Sequence, residues 1–380
     1  MQANDVTAER LRRLAEAAGD GRTVLSAYLD LDPREFGTAP ARASAIRSLV
    51  NAAEREVREA DGLDHAERQA LRASVERLGR WFRDEFSAEG AHGVAVFASE
   101  PRALFEVVRL PEPTGQRVVV GDAPHIAPLA RIGEPERWAV VLASRSRGRL
   151  LRGSPCGLIE VGDLDEDVPG QHDQGGWSQA RYERSIDEDA HRHIGRVLDA
   201  LARSHAEAPI DRLALAAPDE AYAFVEHHLD PVLRERLAGR IDADLSDAGP
   251  DKVLEAAKPL MAQDRRRAEQ ELLARLADAL GADGRAVAGL EDVLDALVQR
   301  RVGKLLVADG FAAPGTLCRT CGWIGVDGER CPVDGTPLER CEDIGERAVE
   351  SALRQAATTR FLSEPDDLAA QGGIAALLRF

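Results

Sequence analysis

A glycine-rich loop that ends in a glutamine is the part of this sequence with the clearest chemical meaning. Gly175 and Gly176 are followed by Gln179, and an arginine-bearing helix is predicted to begin there. The glycines can adopt positive φ and allow close approach of another molecule. The carboxamide of Gln179 donates and accepts hydrogen bonds but does not titrate near neutral pH. Gln179 can therefore position a water or stabilise developing charge, but it cannot act alone as a general base.

Arginines on both sides of this loop are predicted to form a phosphate-binding stripe. At about 100° per residue, the arginines of the helix fall within an arc of roughly 120°, opposite an apolar arc. Those on the preceding strand alternate and so share one face. The predicted RNA-contacting residues are Gly175, Gly176, Arg145, Arg147, Arg149, Arg181, Arg184, Arg192 and Arg196, and Arg203 continues the helical stripe. The alternative is an ordinary solvated helix face, because Asp189 and Asp199 lie close by in the sequence.

Four cysteines near the C-terminal end have the spacing of metal ligands, Cys318-x₂-Cys321-x₉-Cys331-x₉-Cys341. Tetrahedral zinc requires four ligands, and we expect these four cysteines to supply them. Asp334 is the alternative fourth ligand, because it stands where the second cysteine of a second knuckle is expected. A zinc ion here would be structural, since the loop contains no histidine. The other interpretation is a zinc-ribbon loop that has lost its metal and folds by packing alone.

Composition limits the class of protein. The sequence has 380 residues, a formal net charge of −17, 44% hydrophobic and 30% charged residues, which is typical of a globular protein of two or three domains. The acidic balance argues against a simple electrostatic nucleic-acid binder, so RNA contacts must be local and DNA is not an expected partner. No window approaches eighteen consecutive apolar residues, and residues 1–20 lack an apolar signal core. The odd number of five cysteines favours a reducing compartment. We therefore expect a cytoplasmic protein without membrane contact.

Hydrophobic periodicity predicts three α/β domains, 1–133, 134–249 and 250–380, with boundaries near Gly133-Glu134-Pro135-Glu136 and at Gly249-Pro250. The predicted strands are 23–31, 93–98, 104–110, 117–121, 138–151 with a turn at Arg147-Gly148, 157–162, 212–217, a strand near 240–245, 304–307 and a terminal strand. The predicted helices are 11–18, 39–61, 65–87, a helix of about twenty residues ending at Ala206, 251–280, one from Leu290, and 343–356.

Three separated segments resemble the archaeo-eukaryotic release factor family in its bacterial branch. They are VLSAYLDLDP at 24–33, GGWSQARYER at 175–184, and the end of the chain at 372–380. The likeness extends over nearly the full length, and the family includes Pelota and the eukaryotic ribosome-quality-control peptidyl-tRNA hydrolases. It implies a middle domain with a ribonuclease-H-like fold that reaches the peptidyl-transferase centre. It also implies a last domain similar to kink-turn-binding ribosomal proteins, into which the cysteine loop is inserted like a zinc ribbon.

The resemblance also implies roles for individual residues. Gln179 matches the catalytic glutamine, and Arg181 and Arg184 match positions near the tRNA end. Release factors carry Gly-Gly-Gln without interruption, whereas Trp177 and Ser178 intervene here. This departure argues against codon-dependent termination and leaves hydrolysis of the peptidyl-tRNA ester open.

The expected function is binding to the ribosomal A site and hydrolysis of peptidyl-tRNA in ribosome rescue or quality control. The alternative is a non-catalytic hibernation or stress factor that occupies the A site, and a third class is an adaptor that binds other proteins. The expected partners are the ribosome, with peptidyl-tRNA or ribosomal RNA as the contacted nucleic acid, and a translational GTPase is a further candidate. We expect a monomer.

Overall fold

The computed structural model describes residues 5–17, 23–60, 62–88, 90–100, 103–144, 147–165, 179–281 and 284–380, without the side chains of 33, 163–165, 179–191, 220 and 365. The described chain forms two compact units. One is Pro135–Ala268, and the other combines Gln2–Glu134 with Glu269–Phe380. The division into three domains stays a prediction of the sequence. Within the described ranges, no helix combines the length and the apolar character that crossing a membrane requires.

The first part of the chain forms an antiparallel sheet covered on one face by two long helices. The strand order is β3-β2-β1-β4, and α3 and α4 bury Leu49, Val57 and Leu78 against it. An Asp64–Glu67 capping box fixes the start of α4. The elements are α1 (Ala8–Glu16), β1 (Val24–Asp30), α2 (Pro33–Phe36), α3 (Ala39–Glu59), α4 (His65–Asp84), β2 (Gly93–Ser99), β3 (Leu104–Leu110), β4 (Arg117–Gly121) and α5 (Ala127–Ile132).

The unit Pro135–Ala268 contains a five-stranded sheet of order β7-β6-β5-β8-β9. β6 is antiparallel to both β5 and β7, and β5, β8 and β9 are parallel. This is the strand order and direction of a ribonuclease-H-like sheet, as the resemblance implies. Its elements are β5 (Trp138–Ala143), β6 (Arg147–Ser154), β7 (Gly157–Asp165), α6 (Gln179–Glu207), β8 (Arg212–Ala216), α7 (Asp219–His228), α8 (Pro231–Arg234), β9 (Leu237–Arg240) and the first part of α9 (Pro250–Gly281).

Helices cover both faces of this sheet. α6 contributes Ile194, Val197 and Leu201 to one core, and α9 contributes Val253 and Met261 to the core on the opposite face. A sheet buried on both faces leaves little room for solvated side chains on its central strands.

Two local predictions in this unit are wrong. β5 ends at Ala143 and β6 begins at Arg147, so Arg147-Gly148 lies in a strand and is not the predicted turn. The N–H of Ser144 donates to the carbonyl of Arg147 at 2.8 Å. The last strand ends at Arg240 instead of covering 240–245. The sequence Ile-Asp-Ala-Asp-Leu at 241–245 alternates like a strand, but it belongs to the loop that connects β9 to α9.

The last part of the chain forms a mixed four-stranded sheet of order β10-β16-β11-β15 and a small sheet of order β13-β12-β14. The predicted terminal strand is the central strand β16, which pairs antiparallel with β10 and β11. Its entry requires Gly373, because φ is +82° and an added Cβ would lie 2.5 Å from the Phe311 ring. The elements are β10 (Ala286–Ala288), α10 (Leu290–Val298), β11 (Val302–Ala308), β12 (Gly315–Leu317), β13 (Ile324–Gly325), β14 (Glu339–Cys341), α11 (Ile344–Arg354), β15 (Thr358–Leu362), a 3₁₀ helix (Pro365–Gln371) and β16 (Ile374–Leu378).

The first and last parts of the chain share one hydrophobic core. Tyr28, Phe97 and Leu110, from the sheet face opposite α3 and α4, lie in the same cluster as Leu305 and Val349 of the C-terminal segment. This shared cluster explains why the two segments form one compact unit.

A buried histidine lies at the polar edge of this shared core. The backbone N–H of His125 donates to Ser26 Oγ at 2.9 Å, and its Nδ1 lies 3.5 Å from Glu346 Oε2. Its Nε2 lies 3.2 Å from Arg117 Nη1, which donates only to an unprotonated ring nitrogen. Burial and then the charges of Arg117 and Arg347 lower the pKa of His125 to about 4. His125 is therefore neutral in the folded protein at neutral pH.

Candidate functional site

The predicted glutamine is the first residue of a long helix. Gln179 begins α6, which has 29 residues and is about 43 Å long at 1.5 Å per residue. For Gln179, Arg181 and Arg184 the structure describes the backbone alone. Gly175 and Gly176 lie outside the described residues. One continuous helix therefore connects Gln179 to the body of the unit.

The C-terminal half of α6 is amphipathic in the orientation that the sequence predicts. Ile194, Val197 and Leu201 are buried against the sheet, whereas Arg192 and Arg196 are exposed. Arg192 is thirteen residues beyond Gln179, so it lies about 20 Å along the helix axis. The exposed arginines can meet phosphates of a ligand that also reaches the start of the helix.

The predicted strand arginines do not form one exposed face. Arg145 lies outside the described residues. Arg147 is partly exposed and its Nη1 lies 2.7 Å from Asp247 Oδ1. Arg149 is only 6% exposed and forms a two-pronged ion pair with Glu160, with Nε–Oε1 at 2.9 Å and Nη2–Oε2 at 2.6 Å.

The remaining hydrogen bonds of Arg149 hold the loop after β9. Its Nη1 donates to the carbonyl oxygens of Leu245, Ser246 and Ala248 at 3.5, 3.2 and 2.8 Å. All three nitrogens of this buried guanidinium therefore already donate to oxygens of the protein, and the side chain is only 6% exposed. Arg149 is therefore a structural residue, and its inclusion in the predicted RNA-contacting set is wrong.

Arg152 is a residue whose positioning role the sequence did not reveal. Its Nη1 donates to the carbonyl of Ser204 at 2.6 Å and its Nη2 to the carbonyl of Pro209 at 3.1 Å. A cation at a helix C-terminus satisfies unpaired carbonyls and complements the helix dipole. Burial and then the charge of Arg137 lower the pKa of Arg152. Arg152 thus fixes the end of α6 against β6.

A candidate metal centre lies in the small sheet of the C-terminal segment. The ligand atoms of Cys318, Cys321, Cys331 and Asp334 all lie within 4.8 Å of one another. Cys321 Sγ is 3.4 Å from Cys331 Sγ, and Cys318 Sγ is 3.4 Å from Asp334 Oδ2. Tetrahedral zinc with thiolate bonds of about 2.3 Å requires ligand separations of about 3.7 Å. The four side chains therefore fit a zinc ion of ordinary dimensions.

Two similar backbone knuckles present these ligands. The N–H of Gly322 donates to the carbonyl of Cys318, and the N–H of Gly335 donates to the carbonyl of Cys331, both at 2.9 Å. Both glycines have positive φ, +76° and +74°. Asp334 precedes its glycine just as Cys321 precedes Gly322, so the carboxylate occupies the place of a second-knuckle cysteine.

Asp334 replaces Cys341 as the fourth predicted ligand. Cys341 lies outside the group of four, and its Sγ lies 3.2 Å from the carbonyl of Asp343. Burial raises the pKa of the Cys321 thiol to about 12, while hydrogen bonds from Thr336 lower the pKa of Asp334. A bound metal would have to displace the thiol proton, because thiolate is the coordinating form.

The ribonuclease-H-like sheet, a glutamine that begins a long helix, and the flanking α/β segments agree with the expected likeness to release factors. The chain is a homologue of the archaeo-eukaryotic release factors. Its residues 124–262 match the model of Bacterial archaeo-eukaryotic release factor family 10. This range contains the glutamine loop and confirms the resemblance seen in the sequence.

Relatives of known name extend the likeness beyond that range. The chain is 25% identical over 334 residues to peptide chain release factor subunit 1 of Thermococcus sibiricus, covering 77% of this chain and 76% of the relative. It is 26% identical over 315 residues to the same factor of Archaeoglobus fulgidus, covering 76% and 77%.

Solved structures with a similar chain include two archaeal proteins. The translation termination factor aRF1 has 18% identity, 99% coverage of both chains and a TM-score of 0.26. The model of ribosome-bound archaeal Pelota and ABCE1 has 14% identity, covers 100% of this chain and 95% of the other, and has a TM-score of 0.42.

Proposed function

We propose that this protein binds the ribosomal A site and hydrolyses the ester of peptidyl-tRNA, with Gln179 at the reacting group. The observation that supports it most is the position of the glutamine within the family match. The matched range 124–262 includes 175–179, and Gln179 begins a helix whose other half is anchored by Ile194 and Val197.

The chemistry of the side chain limits its role. A neutral carboxamide orients an attacking water or donates to the developing oxyanion, and it does not carry away a proton. The ribosome and the tRNA must therefore supply the remaining contacts. Holding water and ester in reactive geometry is itself a large source of rate acceleration.

Arginines supply the position of the nucleic acid in this proposal. Arg181 and Arg184 lie in the first turns of α6 after the glutamine, and Arg192 and Arg196 are exposed further along the helix. Contacts with phosphates fix register without reading sequence. Because the chain carries a net charge of −17, ribosome binding is expected to depend on these local cations and to weaken steeply with salt. A translational GTPase that delivers the protein to the ribosome is a further proposed partner.

A single substitution with a matched control tests the catalytic role. Gln179→Ala removes the carboxamide, and Gln174→Ala removes another glutamine of the same loop. The assay measures peptide release from ribosomes carrying peptidyl-tRNA in the P site, together with ribosome co-sedimentation. We expect Gln179→Ala to reduce the release rate by roughly 10²–10³-fold and binding by no more than a few-fold. Gln174→Ala is expected to retain release, and equal release by wild type and Gln179→Ala would refute the proposal.

A non-catalytic hibernation or stress factor that occupies the A site is the second candidate. The observation that favours it is the insertion of Trp177 and Ser178 between the glycines and Gln179. The same experiment separates the two candidates. Wild-type protein that sediments with idle ribosomes from starved cells and releases no peptide would support the second candidate against the first.

We also propose that Cys318, Cys321, Cys331 and Asp334 hold a structural zinc ion. Three thiolates and a carboxylate leave no coordination position for substrate, and zinc would cross-link the two knuckles of the loop. Zinc binding therefore stabilises the C-terminal segment in this proposal and takes no part in hydrolysis.

A further inference from the structure

The helices α3 and α4 form a groove that the proposed function does not use. The cavity measures about 630 Å³ and is the space between residues 50 and 58 of α3 and residues 72 and 83 of α4. Its lining combines an apolar floor with a charged rim. The floor is formed by Val50, Val57, Val75 and Gly79, and the rim by Arg58, Arg72, Arg80, Arg83, Glu54 and Glu76. We name this feature the α3–α4 groove.

The rim of the α3–α4 groove carries unpaired positive charge. Arg58, Arg72, Arg80 and Arg83 are exposed, and no carboxylate among the described residues forms an ion pair with any of them. The chain has 66 acidic and 49 basic side chains, so acidic partners are abundant elsewhere. The rim has four arginines and two glutamates, and therefore offers excess cationic donors in a protein that is strongly acidic as a whole.

Gly79 deepens the groove in the C-terminal half of α4. Glycine within a helix lowers helix stability relative to alanine, and packing does not require it here. An added Cβ would meet Arg83 Nη1 at 3.6 Å and Val50 Cγ1 at 4.0 Å, both ordinary contacts. The missing side chain therefore leaves a notch in the floor between Val50 and the arginines.

We propose that the α3–α4 groove binds an acidic amphipathic helix of a partner protein. Aliphatic side chains of such a helix would lie on the valine floor and in the notch at Gly79, and its carboxylates would pair with the rim arginines. From Arg72 to Arg83 the rim follows α4 for about 16 Å, enough for three turns of a ligand helix. None of the lining residues is aromatic, so unpaired bases have no stacking platform. The valine floor suits aliphatic side chains rather than phosphates, which favours protein over RNA. The site shares no residue with the proposed hydrolytic surface, so the two proposals fail independently.

A synthetic peptide tests this inference on the full-length protein. The probe is a fluorescent helical peptide with leucines along one face and glutamates on both flanks, compared with a peptide of the same composition in scrambled order. Fluorescence anisotropy is expected to give at least tenfold tighter binding of the patterned peptide. Arg80→Glu is expected to weaken binding of the patterned peptide about tenfold, because it replaces an attractive charge pair by a repulsive one. Arg12→Glu makes the same charge change at an exposed residue of α1. The affinity of this variant for the patterned peptide is expected to stay within twofold of wild type.

Gly79→Ala separates the role of the notch from the stability of the helix. We expect this variant to unfold at higher temperature than wild type and yet to bind the patterned peptide several-fold more weakly. Circular dichroism of each variant checks that the fold is retained. Absence of saturable peptide binding, or equal binding of the scrambled peptide, would overturn the proposal. Tighter, Arg80-dependent binding of a short RNA duplex would overturn it in favour of an RNA surface.

Discussion

Replacement of Arg149 by methionine distinguishes a structural arginine from an RNA-binding one. Methionine retains an aliphatic stem of similar length and removes the guanidinium. The change leaves the Glu160 carboxylate without its two charge-assisted hydrogen bonds. It also leaves the carbonyl oxygens of Leu245, Ser246 and Ala248 without their shared donor.

The expected loss follows from the burial of the two partners. Removing one member of a buried ion pair costs about 3–5 kcal/mol, because the other charge stays behind without compensation. The Arg149 side chain is 6% exposed and that of Glu160 is 28% exposed, so water can solvate the abandoned carboxylate in part. We therefore expect the lower end of that range, about 3 kcal/mol in the free energy of unfolding.

Urea denaturation followed by circular dichroism measures this loss, with Arg192→Met as the control. Arg192 is exposed on α6, so its replacement should change the free energy of unfolding by no more than about 0.5 kcal/mol and should weaken ribosome binding instead. The double variant Arg149→Met/Glu160→Met removes both charges and should recover part of the stability. An Arg149→Met protein with wild-type stability and weakened ribosome binding would refute the structural assignment.

Two further predictions concern buried and metal-binding groups. The pKa of His125 is lowered to about 4 in the folded protein and is about 6.5 in an unfolded chain, so the unfolded state binds the proton first as pH falls. The free energy of unfolding should therefore decrease by about 3 kcal/mol between pH 6.5 and 4. In His125→Gln, the decrease of the free energy of unfolding over this pH range should be smaller. A decrease that is unchanged in His125→Gln but altered by replacing the exposed His65 would contradict the assignment. For the metal centre, mass spectrometry of the intact protein should find about one zinc per chain in wild type and in Cys341→Ser, and a lower zinc content in Asp334→Ala. Retention of zinc by Asp334→Ala with its loss in Cys341→Ser would restore Cys341 as the ligand.

The sequence predicts elements well where the pattern is local. The strands β1 to β4 and the helices α3 and α4 lie close to their predicted positions, because alternation, helical periodicity and caps all act over a few residues. The strand predicted near 240–245 was misplaced, because apolar and polar residues can alternate in a loop as they do in a strand. Its observed form depends on Arg149, which is distant in sequence and holds that loop through three carbonyls.

Residue types and their spacing predict part of the candidate site, but they do not predict which side chains the fold buries. The family likeness selects Gln179 as a candidate from the sequence, and helical periodicity predicts the exposed position of Arg192. Alternation on β6 could not show that both faces of the sheet are buried, so it placed Arg149 in solvent. The spacing of the cysteines could not choose between Asp334 and Cys341 as the fourth ligand. The choice depends on the backbone turn after Cys331, which brings Asp334 to the other three ligands.

The core shared by the two ends of the chain has a consequence for how the protein is synthesised. When residues up to Glu134 have left the ribosome, α3 and α4 can already cover one face of the first sheet, but the other face, with Tyr28 and Phe97, lacks its partners. Those partners, among them Leu305 and Ile374, follow only after the entire middle unit, a delay of roughly 10–50 s at 5–20 residues per second. During this interval the nascent chain exposes an apolar sheet face, whereas the middle unit already has the residues of its own two cores. The last strand, β16, must therefore emerge before this sheet face can be fully covered.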